Sequence, residues 1–217
     1  MNIELLRICY KITGFLPLIV FLFYYFKGGK IEKSIFNFLP FIVLMFFATF
    51  VECHFFKYSV KKWIRLYDFL EFYTLLWFFY KEIKLKKLYS FFSLSYLLLY
   101  IYLIITWDNT KIADQPLVIF TILLVLVSGI LWFINVFKNF EETPLYKRTG
   151  FYIIGVILFY ILSTSLSFLF TEYFWKNNRE NAFILRNIIL SFNTISRIII
   201  TVTLLKFLKF DKNESKF

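Results

Sequence analysis

Long apolar stretches alternate with short polar ones along the whole chain. Seven of them approach the roughly 20 residues that a helix needs to cross a hydrocarbon core of about 30 Å. They cover residues 9–26, 35–52, 64–80, 89–107, 116–137, 150–171 and 182–205. The third is the least apolar, because it carries Asp68 and Glu71. The linkers have the length of turns, and the longest, residues 138–148, has no room for a folded domain. The pattern predicts an all-α protein: one polytopic transmembrane bundle of seven helices with short loops and no soluble domain. Residues 206–217 read as a polar, basic tail lying on the membrane surface or fraying from it.

The polar residues inside these stretches recur at helical spacing. Positions three, four and seven apart share a helix face. Such a stripe joins Met45, Thr49 and Glu52 in the second stretch, and Tyr89, Ser93, Tyr96 and Tyr100 in the fourth. The fifth has Thr121, Ser128, Trp132 and Asn135, and the sixth has Tyr160, Ser163, Thr164, Ser167 and Thr171. In the seventh, Arg186, Asn193, Arg197 and Thr201 line up, flanked by Asn187 and Thr194. Lipid satisfies no hydroxyl or amide, so these faces are expected to turn inward. Hydroxyls alone do no more than tie helices together. Charges are different, because an ionisable residue inside the membrane is costly and marks function by default. Glu52, Tyr67, Asp68, Glu71, Arg186, Asn187, Asn193 and Arg197 therefore form the candidate polar site. Glu71 and Arg186 share a depth on helices of opposite sense, and are expected to pair, with Asp68 or Glu52 in the same cluster.

Composition fits this picture. The chain is 60% hydrophobic with a mean hydropathy of +0.69, more apolar surface than a soluble domain can hide. The net charge of +11 points to loop lysines at an anionic lipid surface. No basic module separate from the helices is present to grip a phosphate backbone, so nucleic acid is not expected as a partner. The first stretch follows Arg7 and Lys11 as a signal peptide would, but it runs into Tyr24-Tyr25-Phe26-Lys27 without a small-residue cleavage site. It reads as a retained helix. Lysine and arginine concentrate in cytoplasmic loops. The balance is roughly 14 to 9 in favour of an N-terminus outside and a C-terminus inside. The expected location is a bacterial inner membrane, and the expected partner of the whole surface is the lipid bilayer.

The usual chemical signatures are missing from the sequence. His54 is the one histidine, and in Glu52-Cys53-His54 three consecutive helical residues point apart, which makes a poor metal site. One histidine also excludes the multi-histidine zinc centre of seven-helix lipid hydrolases. The last stretch lacks a mid-membrane lysine for a retinal Schiff base, since Lys206 falls at its end. No glycine-rich phosphate loop, Ser-His-Asp set or Cys-x-x-Cys occurs. The expectation is a protein without cofactor that is not an enzyme. Cys9 and Cys53 fall at the same membrane face and are expected to be free thiols.

Several short patterns carry a family resemblance: Glu52 ending the second stretch, Tyr67-Asp68-Phe69-Leu70-Glu71-Phe72 in the third, and Phe151-Tyr152-Ile153-Ile154-Gly155 followed by Tyr160 in the sixth. Arg186-Asn187 with Asn193 in the last completes them. In these the chain resembles small seven-helix membrane proteins of unknown function common in the Bacteroidota. It departs from them at Tyr152, where tryptophan is usual, and at Pro144, where the proline lies further upstream. Such proteins are often encoded near sensor histidine kinases. The resemblance thus implies a sensory or signalling subunit with a membrane signalling partner such as a sensor kinase, and it brings no catalytic residues. A small-solute transporter or channel using the same polar faces is the alternative, and a purely structural subunit of an assembly is a third reading.

Overall fold

The computed structural model describes residues 3–55, 60–106, 114–138, 144–177 and 179–208. The basic tail beyond residue 208 and the side chains of Ser167 and Thr171 lie outside the described residues. The architecture is the expected all-α bundle. Its seven helices are α1 (Ile3–Phe26), α2 (Lys33–Phe55), α3 (Val60–Ile83), α4 (Lys86–Ile105), α5 (Gln115–Lys138), α6 (Thr149–Asn177) and α7 (Arg179–Phe207). A 3-10 turn, Leu145–Lys147, leads into α6.

Five helices, α1, α2, α4, α5 and α7, are long and apolar enough to cross a membrane. The chain is therefore a membrane protein by length and composition. α3 is long enough, but Lys61, Lys62, Arg65, Asp68, Glu71, Lys81 and Glu82 dilute its apolar character. In α6 the apolar run is the first part, Thr149–Ser165. In α3 Arg65 is buried and Asp68 and Glu71 are partly buried, which keeps these charges from full contact with lipid.

Helices α1, α2, α3, α5, α6 and α7 form a ring in that order, closed by α7 packing on α1. α2 also reaches across to α6, and α4 sits outside in the groove between α3 and α5. The polar stripe of α4 faces that groove. Its buried Tyr89 donates to Ser128 Oγ of α5 (3.1 Å), and Tyr96 donates to the Asp68 carbonyl of α3 (3.0 Å). Tyr73 of α3 donates to the Ser93 carbonyl (3.1 Å). These hydroxyls act as helix-to-helix ties, each worth about 0.6 kcal/mol on average. The Tyr96 ring lies flat on Phe72 with centroids 3.6 Å apart. Thr121, Ser128 and Trp132 of α5 are buried as their spacing predicts, while Asn135 is exposed.

One expectation fails at the α6–α7 junction. The apolar pattern makes residues 172–181 a loop, yet the two 29-residue helices continue almost to each other. Each is about 43 Å long at 1.5 Å per residue, well beyond the hydrocarbon core. Hydropathy marks where lipid ends, whereas a helix ends only where its backbone hydrogen bonds do.

The interior is divided by depth. Toward the face where α2, α4 and α6 begin, the core is mainly aromatic and aliphatic, with Phe38, Phe41, Phe72, Leu75, Phe78 and Phe79 fully buried beside polar positions such as Asn37, Ser128 and Thr149. Toward the opposite face, where α1, α3, α5 and α7 begin, buried positions include Thr49, Thr164, Thr194, Ser196 and Arg197.

Candidate functional site

The polar half of the bundle is built around Glu71, midway along α3. Its Oε1 accepts from Tyr67 one turn earlier (3.0 Å) and from Tyr160 of α6 (2.5 Å). The two phenolic oxygens are themselves 3.1 Å apart. The three oxygens thus close a hydrogen-bonded triangle. Phe41 sets its ring edge against Tyr160 (centroids 5.8 Å apart), so the aromatic half begins directly beneath this triad.

Arg197 of α7 supplies the cation. It is buried, donates from Nη1 to the Tyr10 carbonyl of α1 (2.8 Å), and lays its guanidinium over the Tyr10 ring at 3.9 Å. A guanidinium on an aromatic face is attracted by the ring quadrupole, and more so when desolvated. Gly14 makes the approach possible. A Cβ there would lie 2.1 Å from Thr49 Oγ1 and 2.7 Å from Arg197 Nη1. One missing methyl group therefore lets α1, α2 and α7 meet around the guanidinium. Glu52, partly buried at the end of α2, lies close enough to Tyr10, Arg197 and Arg186 to interact with all three. Arg197 likewise feels Tyr67 and Tyr160. The result is a chain of interacting groups from Glu52 through Tyr10 and Arg197 to Tyr67, Tyr160 and Glu71.

The expected pair of Glu71 with Arg186 does not form. Arg186 is exposed near the start of α7 and interacts with Glu52, whereas Glu71 is held by the two tyrosines. The reason is depth. Arg186 lies only two turns into a helix that overshoots the membrane, so it stays at the rim while Glu71 sits at mid-helix. Arg197, three turns further along α7, is the cation that reaches the cluster. Asp68 is partly buried on the side of α3 that faces α4, where its carbonyl accepts from Tyr96. The Asn187 carbonyl accepts from Ser191 of its own helix (2.9 Å), a bond that does not join it to the cluster. Asn193, one turn from Arg197, has a buried Oδ1 without a hydrogen-bond partner.

Three contributors were missed in the sequence: Tyr10, Gly14 and the ion pair of Arg65 with Asp114. Arg65 of α3 grips both carboxylate oxygens of Asp114, from Nε to Oδ2 and from Nη2 to Oδ1 (2.8 Å), and donates from Nη1 to the Leu103 carbonyl of α4 (3.2 Å). Both side chains are at most a tenth exposed. The bidentate geometry pins α3, α4 and the start of α5 together. Cys9 is exposed, Cys53 is partly buried, and both are free. No set of three or more His, Cys, Asp or Glu side chains among the described residues is placed to hold a metal ion.

Tyr160→Phe should remove the shorter bond to Glu71 and cost about 1–3 kcal/mol of stability in detergent, because a buried acceptor loses its donor. Ser191→Ala, which removes a hydroxyl that bonds its own helix at Asn187, is the comparison and should cost far less. Equal unfolding midpoints for the two variants would show that the triad carries no stability.

No family model, curated protein sequence or solved structure matches this chain. Its function has to be argued from the cluster itself.

Proposed function

We propose that this membrane protein is a sensory or signalling subunit whose polar half receives a small polar solute from outside the cell. The observation that carries this reading is the one-sided chain of charged groups. It runs from the exposed Arg186 and partly buried Glu52 down to Glu71, and then meets the fully buried layer of Phe38, Phe41, Phe72 and Phe78. A polar cluster that reaches one face and is closed off from the other by aromatic packing suits reception better than passage. The buried Asn193 Oδ1 has no donor, so a solute that carries one, such as an amine or a polyol, would complete the cluster.

The outside location rests on an N-out, C-in orientation in a bacterial inner membrane. The second-to-third linker is the main stretch that argues against it. Arg65, at that end of α3, is neutralised by Asp114 inside the bundle and belongs to the interior as much as to the loop. In a Cys9→Ser/Cys53→Ser background, cysteines introduced at residues 108–113 should react with an impermeant reagent applied outside intact cells, and cysteines at residues 84–87 should not. The reverse pattern would invert the orientation.

The functional test is a pull-down of the full chain from native membranes, joined to a reporter of the partner. A membrane signalling protein such as a sensor kinase is expected to co-purify, and Tyr160→Phe should alter its output while leaving the association intact. The competing reading is a carrier, and a buried carboxyl ringed by phenols is the observation in its favour. Solute-coupled proton uptake into proteoliposomes, lost in Glu71→Gln, would sink the sensory proposal.

A further inference from the structure

At the opposite face the molecule has a second feature, independent of the Glu71 cluster. A cavity of about 590 Å³ opens between the start of α2 and the end of α3. Phe36, Leu39, Pro40 and Trp77 form an apolar wall, and Lys33, Lys81, Lys84 and Lys86 gather around it. We propose that this cavity binds one phospholipid with an anionic headgroup, its phosphate among the lysines and an acyl chain along the apolar wall.

Charge and shape both favour that occupant. The acids of this end of the bundle are already engaged. Glu82 accepts from Asn37 Nδ2 (2.8 Å) and Ser34 Oγ (3.2 Å), and Glu32 accepts from Thr149. Lys81 lies over the Trp77 ring at 4.3 Å, its stem against the wall and its ammonium at the rim. Lys33, Lys84 and Lys86 are exposed and make no ion pair among the described residues. The wall matters as much as the rim, since a free phosphate has no use for Phe36, Leu39, Pro40 and Trp77. An acidic protein segment would likewise leave these residues to lipid.

Lys84 gives the sharpest indication. It has φ 62°, the left-handed region, in the two-residue link between α3 and α4. Glycine is the relaxed choice there, and a side chain is a cost. A lysine at this position spends backbone comfort to put an ammonium on the cavity.

That cost supplies a test in which folding and binding move apart. The Lys84→Gly variant removes the ammonium while relaxing the backbone, so its unfolding midpoint should stay level or rise. Lys33→Gln/Lys84→Gly should lower retention of phosphatidylglycerol, measured by native mass spectrometry of the full chain, on the order of tenfold. Arg7→Gln/Lys62→Gln, which removes two exposed charges at the other face, should leave retention unchanged. Equal loss in both double variants would mean diffuse attraction to charge and overturn the site. A separate reading uses the unaltered protein. Phosphatidylglycerol with brominated chains should quench Trp77 fluorescence, defined as the difference from Trp77→Phe, and brominated phosphatidylcholine should not. Equal quenching by the two lipids would also overturn the proposal. So would competition at equal concentration by inorganic phosphate or by a soluble acidic peptide, the first indicating a free-anion site and the second a protein-docking site.

Discussion

Asp114→Asn is expected to cost about 3–5 kcal/mol of stability in detergent, the largest loss from any single polar substitution in the bundle. Arg65 and Asp114 are both buried, and an amide replaces the carboxylate of their bidentate contact with a neutral group while the guanidinium stays charged. Asparagine is as good as aspartate at the start of a helix, and the Asp114 carbonyl that accepts from Leu117 and Val118 is retained. The loss therefore measures the pair and not the beginning of α5. Arg65→Met/Asp114→Leu should recover much of it, because a buried ion pair is often replaced by apolar packing at little cost. Denaturant unfolding of the wild type, Arg65→Met, Asp114→Leu and the double variant gives the coupling directly. A single-variant loss below about 1 kcal/mol, the range of exposed pairs, would place Arg65 and Asp114 in water.

Gly14→Val is the second substitution with a large expected effect. In an open helix, replacing glycine gains up to about 1 kcal/mol in helix propensity when the newcomer is alanine. Here the sign reverses, because even the first carbon would overlap Thr49 and the Arg197 guanidinium. Overpacking costs about 1–3 kcal/mol, and losing the charged hydrogen bond to the Tyr10 carbonyl costs about 1.5–3 kcal/mol more. Gly14→Ala should lie between the two. Gly155→Ala is the control, since nothing lies within 4 Å of a Cβ at that position, and it should be neutral or stabilising. A stabilising Gly14→Ala would mean that the guanidinium does not rest there.

The bundle was legible from sequence because lipid imposes one rule on every span, and hydropathy reports that rule directly. The same rule located Glu71, Tyr67, Tyr160 and Arg197, since polar groups at helical spacing must face inward. It did not choose partners. Glu71 and Arg186 both fall within the first two turns of their apolar stretches, but α7 begins upstream of its stretch, at Arg179, so counting from the apolar boundary misplaced Arg186. Tyr10 escaped notice because its contribution is a ring and a carbonyl, both ordinary in an apolar stretch. Gly14 escaped because a close approach is a property of three helices and leaves no mark on one. Arg65 and Asp114 did leave a signal: an arginine one turn inside α3 and an aspartate just before α5, at one depth. Counting both as loop residues concealed it.

The contact between Arg197 and Tyr10 spans 187 residues and joins the first helix to the seventh. During synthesis at about 5–20 residues per second, roughly 10–40 s separate the two ends of that contact leaving the ribosome. Throughout that interval the notch at Gly14 and the face around Tyr10 stand uncovered in the bilayer. Assembly of this protein therefore has an unavoidable waiting period, and it ends only when α7 delivers its arginine. A nascent chain that stalls before α7 keeps six helices and an open seam, which a membrane protease or chaperone can recognise.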